Sequence, residues 1–122
     1  MIFTRIRLAK DVTNRLKAMK SRAGLDANII CRLGLCFSLE DSKIANQKDW
    51  DEEGMEINRY TLLGDYEFIY LALVRERCMK DGFNPETELV SQLRAHMNRG
   101  AVMVMNRMKS IDDLAILLPN PR

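Results

Sequence analysis

A short alternating segment followed by an amphipathic helix constrains the fold more than any other feature of the chain. Within residues 2–9 the side chains alternate, with Thr4, Ile6 and Leu8 on one side and Phe3, Arg5 and Arg7 on the other. A period of two predicts a short strand with one sheltered face and one basic face. Such a strand needs a partner strand to be stable.

Residues 10–24 have the period of an α-helix. Their apolar side chains follow the spacing i, i+4, i+7 and i+11, at Val12, Leu16, Met19 and Ala23. Polar and basic side chains lie opposite (Lys10, Asn14, Lys17, Lys20, Ser21) or on one flank (Arg15, Arg22). Gly24 is expected to end this helix, and Asp26 to cap a second one. That second helix, over residues 27–39, is apolar almost all round and should be buried.

The net charge of +2 conceals a separation of charge along the chain. Residues 1–24 contain seven Lys or Arg and one Asp, whereas residues 40–56 contain seven acids and two Lys. Clustered cations contact phosphates and release counterions, so the first segment favours nucleic-acid binding over a solvated face. Aromatic side chains that could stack on unpaired bases are scarce there. Only Phe3 qualifies, which favours duplex over single strands.

Residues 40–64 are expected to form an acidic loop and a second short strand. The loop should contain a turn of helix around Ile44, and the strand should lie within residues 55–60. The carboxylates of the loop lack the order of a calcium-binding loop and have no histidine beside them. Solvation or docking of a basic partner is therefore favoured over metal binding.

Residues 65–118 are expected to be helical, which makes the fold class mainly α. Asp65 should cap the first helix of this part. An Asn-Pro-Glu start signal predicts a longer helix, which we expect to pass through Gly100 and reach Lys109. A capping box then predicts a short helix within residues 110–118.

The composition fits one domain over residues 1–122, with parts at residues 1–39, 40–64 and 65–118. Hydrophobic residues make up 47% and charged residues 30%, which indicates neither a disordered chain nor a membrane protein. The first residues lack the pattern of a signal peptide, so we expect a cytoplasmic protein.

The residues able to support chemistry are few. The three cysteines, Cys31, Cys36 and Cys78, are expected to be structural thiols. His96 is the only histidine, so one subunit cannot form a His-pair metal site, and a structural role is favoured. The sequence contains no nucleophile elbow, phosphate-cradling loop or two-metal carboxylate set. We therefore expect neither an enzyme nor a cofactor.

Two stretches together resemble known DNA-binding proteins. Phe3-Thr4-Arg5-Ile6-Arg7-Leu8, the basic helix and Ser21-Arg22-Ala23-Gly24-Leu25-Asp26-Ala27-Asn28-Ile29 resemble a ribbon-helix-helix module. The longer pattern adds Arg32 to Leu39, the acidic loop, residues 54–64 and His96 to Gly100. This pattern covers essentially the whole chain. It is similar to the DndE family of the DNA phosphorothioation (sulfur modification) system.

The resemblance implies a DNA-binding subunit without a catalytic centre. It implies a homotetramer whose lysine surface binds duplex DNA and prefers nicked duplex. The implied partners are a cysteine desulfurase, an iron–sulfur protein similar to sulfurtransferases and an ATPase, which together replace a non-bridging phosphate oxygen by sulfur. The implied lysine surface maps onto Lys10, Lys17 and Lys20. Charge and periodicity add Arg5, Arg7, Arg15 and Arg22 as DNA-binding candidates.

Two other functions remain open from the sequence. A ribbon-helix-helix transcriptional regulator would be a dimer that reads a palindromic operator, with Phe3, Arg5 and Arg7 facing the bases. An assembly protein would instead use its basic face to dock an acidic partner. The length of the helical part favours a subunit of a larger machine over a regulator.

Overall fold

The computed structural model describes residues 3–108, which contain two short strands and five α-helices in a mainly α arrangement. The elements in chain order are β1 (Arg5–Arg7), α1 (Lys10–Ala23), α2 (Ala27–Glu40), β2 (Glu56–Asn58), α3 (Arg59–Leu63), α4 (Glu67–Lys80) and α5 (Pro85–Arg107). Short 3-10 turns lie at Gln47–Asp49 and Gly64–Tyr66. The predicted fold class, a strand and two helices extended by further helices, is confirmed.

The two strands pair with each other inside the chain. They are antiparallel, with Ile6 opposite Ile57 and Arg7 opposite Glu56. Both isoleucines are buried under the helices, whereas Arg5 and Arg7 point outwards. The partner strand that the N-terminal segment requires is therefore supplied by the same chain.

The predicted position of Phe3 on the exposed basic side is wrong, as is the sheltered position of Thr4. Phe3 is 8% exposed and belongs to the core, and Thr4 is exposed. Thr4 lies at a bend before β1, so the alternation of the strand does not extend back to these two residues. The one aromatic side chain available near the basic cluster is thus removed from contact with bases.

The predicted stripe of α1 is confirmed. Val12, Leu16 and Met19 are each at most 2% exposed, and they attach the helix to the core. Gly24 ends the helix with a φ of 73°, a left-handed conformation that favours glycine, and its N–H bonds to the Lys20 carbonyl. The opposite face of α1 is left to solvent.

Helix α2 packs along α5 at a crossing of two glycines. A Cβ atom added to either Gly34 or Gly100 would overlap backbone atoms of the other. Only residues without side chains allow this approach. Helix α5 continues through Gly100, as predicted. Helix α5 ends at Arg107, with Met108 in an extended conformation, so the predicted end at Lys109 is two residues too late. The helix predicted within residues 110–118 lies outside the described residues.

The start of α5 also agrees with its sequence signal. The Asn84 side chain accepts a hydrogen bond from the Glu86 N–H at 2.9 Å, and Pro85 occupies the first helical position. A missing N–H costs nothing at that position.

The expectation that α2 would be buried all round is wrong. Its buried residues are Ile30, Cys31, Gly34, Leu35 and Ser38. Ile29 is 40% exposed and Cys36 is also exposed. The other helices cover one side of α2 and leave the rest of its apolar surface open, so only Cys31 and Cys78 are buried thiols.

Three local expectations between α2 and α4 are corrected. The turn of helix lies at Gln47–Asp49 and not around Ile44. Arg59 starts α3 and does not extend β2, because the Asn58 side chain caps that helix by accepting the Thr61 N–H at 2.8 Å.

Asp65 does not cap α4, which begins at Glu67. It lies in the preceding turn and accepts a hydrogen bond from the Tyr60 hydroxyl.

Candidate nucleic-acid interface

The outer row of α1 carries two exposed lysines of the basic segment. Lys10, Asn14, Lys17 and Ser21 follow each other at helical spacing, and all four are exposed. Within residues 3–108 neither Lys10 nor Lys17 forms a side-chain ion pair. Their ammonium groups are available to an external anion.

Lys20 lies beside this row and has an internal partner. Its Nζ is 2.5 Å from Oδ1 of Asp26, and both side chains are more than half exposed. Asp26 occupies the N-cap position of α2, as predicted, but its carboxylate bonds to Lys20 and makes no capping hydrogen bond. An exposed ion pair of this kind is weak and can be exchanged.

The two arginines of α1 point away from the lysine row. Arg15 donates a hydrogen bond from Nη2 to Oδ1 of Asn106 at 2.7 Å, which ties α1 to the end of α5. Arg22 is exposed, and its Nη2 lies 3.9 Å from Sδ of Met19. Both cations remain on the flank that the periodicity predicted.

The strand arginines share one carboxylate. Arg5 Nη1 lies 3.5 Å from Oε1 of Glu56, and Arg7 Nη2 lies 3.2 Å from Oε2 of the same residue. Arg7 also donates to the Gly54 carbonyl at 2.9 Å. The sequence predicted both arginines as DNA-binding residues and did not identify Glu56 as their partner. Only the pairing register of the two strands, which places Glu56 opposite Arg7, could have indicated this contact.

The acidic loop folds back onto the basic segment. Oδ1 of Asp51 accepts the N–H groups of Lys10 and Glu53, each at 2.9 Å, so the loop caps the N-terminus of α1. These hydrogen bonds, helped by the charge of Lys10, hold the pKa of the Asp51 carboxyl below its ordinary value. The residue at the N-cap position is Ala9, which has no side chain able to cap. A solvated loop was predicted, and its capping role was missed.

Two neighbouring open grooves connect the lysine row to the strand pair. One is lined by Lys17, Lys20 and Leu16, and the other by Glu56, Asn58 and Thr61 among others. Asp26, Ala27 and Met55 line both grooves. The surface next to α1 is therefore mixed in charge, with cations on one edge and carboxylates inside.

His96 belongs to a buried polar cluster on the other side of α2. Its Nδ1 is 2.8 Å from the Ser38 hydroxyl, which also accepts a hydrogen bond from Arg99 Nε at 2.8 Å. The Ser38 hydroxyl thus bridges the imidazole and the Arg99 guanidinium. Burial, together with the charges of Arg99 and Arg77, lowers the pKa of His96 to about 4. With 0% exposure, His96 cannot meet a ligand at the surface.

Arg77 and Arg99 donate hydrogen bonds to backbone carbonyls at the end of α2 and the start of the acidic loop. Arg77 pairs with Asp81 at 2.7 Å and donates to the carbonyls of Leu39 and Lys43. Arg99 donates to the carbonyls of Lys43 and Ser38, each at 2.9 Å. These cations stabilise backbone and are not part of the basic surface.

The α3–α4 region exposes a group of large apolar side chains, which we call the α4 patch. Its members are Tyr60 (69% exposed), Tyr66 (67%), Phe68 (82%), Ile69 (53%) and Leu73 (46%). The buried residues of α4 are Val74, Arg77 and Cys78. Most of the large apolar side chains of α4 therefore face solvent in the single chain.

The described part of the chain contains neither a clustered metal-binding group nor a membrane-spanning helix. Among residues 3–108, no three His, Cys, Asp or Glu side chains come together as a metal-binding group. None of the helices in that range combines the length and the apolar character that crossing a membrane requires.

A strand pair, a basic outer helix and a glycine crossing between two long helices define a small, mainly α class of protein. A family model described as DNA sulphur modification protein DndE matches residues 5–112, and the chain belongs to the DndE family. No curated protein sequence matches the chain.

Solved structures show the same fold. The crystal structure of DndE from Escherichia coli B7A, involved in DNA phosphorothioation modification, superposes with a TM-score of 0.70 at 20% identity. That match covers 85% of this chain and 98% of the solved one. A mutant DndE, described as involved in DNA phosphorothioation, gives a TM-score of 0.67 at 19% identity, with 85% and 99% covered.

Proposed function

We propose that this protein is a cytoplasmic, non-catalytic subunit of the DNA phosphorothioation machinery that binds duplex DNA and prefers nicked duplex. Membership of the DndE family supports a role in DNA sulfur modification. The observation that carries DNA binding is the exposed row of α1, in which Lys10 and Lys17 have no internal ion pair among residues 3–108. Lys20 and the four arginines of the basic segment extend this surface.

The preference for a nick follows from the kind of contact that such a surface makes. Lysines on a helix contact phosphates, and phosphate contacts position a duplex without reading its sequence. A nick interrupts one strand and lets the duplex bend towards a convex helix at low cost. Phe3 is buried and Arg5 and Arg7 share Glu56, so the strand pair contributes little to base recognition.

The combined variant Lys10→Ala/Lys17→Ala/Lys20→Ala is expected to bind nicked duplex roughly 10- to 100-fold more weakly near 0.15 M salt. Its salt dependence should be shallower by about 0.9 for each lost phosphate contact. Competition titrations at two salt concentrations, with nicked duplex, intact duplex and single strand, measure both quantities.

Three exposed lysines outside α1 provide a matched control, since Lys43→Ala/Lys48→Ala/Lys80→Ala removes the same charge. This variant should bind DNA like the native protein. Equal competition by all three DNAs, with no effect of the α1 variant, would contradict the proposal and favour docking of an acidic partner. A steep preference for one duplex sequence would favour the ribbon-helix-helix regulator.

We further propose that the protein works as a homotetramer in contact with other proteins of the modification system. The α4 patch supports this, because a group of large exposed apolar side chains in one region marks an interaction site. Such surfaces commonly close against copies of the same chain in symmetric assemblies.

Replacing Phe68 by Glu is expected to shift the protein towards smaller species, because a charge would have to be buried between the copies. Light scattering coupled to size exclusion measures the mass. Ile44→Glu is the matched control, since Ile44 is also 53% exposed but lies outside the patch. A native protein that runs as a monomer, or a Phe68→Glu variant with unchanged mass, would count against this assembly.

A further inference from the structure

We propose that Glu56 and Asp26 act as internal counterions that limit the affinity of the basic surface for DNA. In the free protein each occupies cations that a phosphate would otherwise contact, and DNA has to displace them. This inference rests on the proposed function and adds to it the residues that set its strength.

Glu56 forms ion pairs with two arginines at once. The strand register places it directly opposite Arg7, and Arg5 lies on the same face of the strand pair. Each guanidinium contacts a different carboxylate oxygen, at 3.5 Å and 3.2 Å. The outer face of the pair therefore carries one surplus positive charge where the sequence of β1 alone would give two.

Asp26 likewise forms an ion pair with Lys20. Its carboxylate is turned away from the N-terminus of α2 and meets the Lys20 ammonium group. Of the three lysines assigned to the surface, Lys20 is thus the one that already has an anion. The side chains of Lys10 and Lys17 form no ion pair within residues 3–108.

Both carboxylates line grooves beside α1. Asp26 lines the groove bordered by Lys17 and Lys20 and also the adjoining groove that contains Glu56. A phosphate near either groove is repelled by a like charge within the range that salt leaves unscreened, about 8 Å at physiological ionic strength.

These ion pairs are exposed and can be exchanged for contacts with a phosphate. The side chains that form them are between 41% and 63% exposed, and exposed ion pairs contribute little to stability. A phosphate can replace the carboxylate on the same guanidinium or ammonium group without disturbing the core. The protein can thus move from a partly neutralised surface to a fully cationic one when DNA arrives.

The test uses variants that keep the side-chain shape and remove only the charge, Glu56→Gln and Asp26→Asn. Glu56→Gln should bind nicked duplex about three- to tenfold more tightly at 0.15 M salt, with a slope steeper by about 0.9 for each arginine that turns to DNA. Asp26→Asn should show a smaller gain through Lys20. Glu76→Gln, an exposed acid of α4 that lines a different groove, changes the net charge equally and should leave affinity unchanged.

The outcomes separate this inference from the proposed function. If the native protein binds DNA through the α1 lysines but Glu56→Gln and Asp26→Asn bind no better than Glu76→Gln, the counterion role is overturned and the function stands. If the native protein shows no salt-dependent DNA binding, the function itself fails. Adding Arg5→Ala/Arg7→Ala to Glu56→Gln should abolish the gain of Glu56→Gln, and persistence of the gain would overturn the role of the strand arginines.

Discussion

Replacing Gly100 by Ala is expected to lower the free energy of unfolding by about 3 kcal/mol, a value at the upper end for overpacked cores. The added methyl group meets backbone atoms of Gly34, and backbone inside a packed helix cannot move aside as a flexible side chain can. In an uncrowded helix interior the same change stabilises by about 1 kcal/mol. The sign of the effect therefore reports the α2–α5 crossing. Urea unfolding at 25 °C followed by circular dichroism measures it.

Gly34→Ala should cause a comparable loss, because its Cβ would meet the backbone around Gly100. Gly82→Ala is the matched control. It has no atoms within 4 Å of the new methyl group but adopts a φ of 87°, so only conformational strain of about 1–2 kcal/mol is expected. A Gly100→Ala protein that is more stable than the native one would contradict the crossing.

Acidification is expected to destabilise the fold through His96 by about 3 kcal/mol between pH 6.5 and pH 4. In the unfolded chain the imidazole takes up a proton as the pH falls through its ordinary pKa of 6.5. In the folded protein the pKa of about 4 keeps it neutral until much lower pH. Protons therefore favour the unfolded state in this window. The contribution is fully present above pH 6.5 and is lost progressively as the pH approaches 4.

Burial and the charged groups around His96 explain why its pKa is lowered. Burial is the largest cause, the charges of Arg99 and Arg77 act in the same direction, and Asp81 and Asp41 oppose them. Urea titrations at pH 7, 6, 5 and 4 should show a steep fall for the native protein and a flatter one for His96→Gln. Ser38→Ala, which retains the imidazole, should keep the steep fall. Equal slopes for the native protein and His96→Gln would show that other groups control the acid response.

The elements that could be predicted are those whose signals are local. The stripe of α1, the start of α5 and the second strand each depend on a few neighbouring residues, and all three are present. Burial of α2 and α4 could not be predicted in the same way. An apolar surface all round a helix says nothing about which side receives a neighbour, and so Ile29 and Phe68 are exposed.

The basic surface was predictable as a cluster but not in its detail. Counting charges within residues 1–24 found seven cations, yet Glu56 and Asp51 lie far along the chain and reach the cluster only through strand register and a folded loop. Asp26 lay close in sequence, but its choice between capping α2 and pairing with Lys20 is decided by side-chain geometry. Pairing of this kind depends on the tertiary structure, so the sequence could not rank the cations.

Strand β1 and the residues before α1 form hydrogen bonds with residues that are far along the sequence and are synthesised much later. The Ala9 N–H donates to Oδ1 of Asn98 across 89 positions, and β1 pairs with β2 beyond two intervening helices. Contacts of such separation form only after the intervening loops have closed. During synthesis the cationic segment leaves the ribosome well before α5, so it acquires its final shape only when that helix is in place. The order of the basic segment thus depends on the assembly of the rest of the fold.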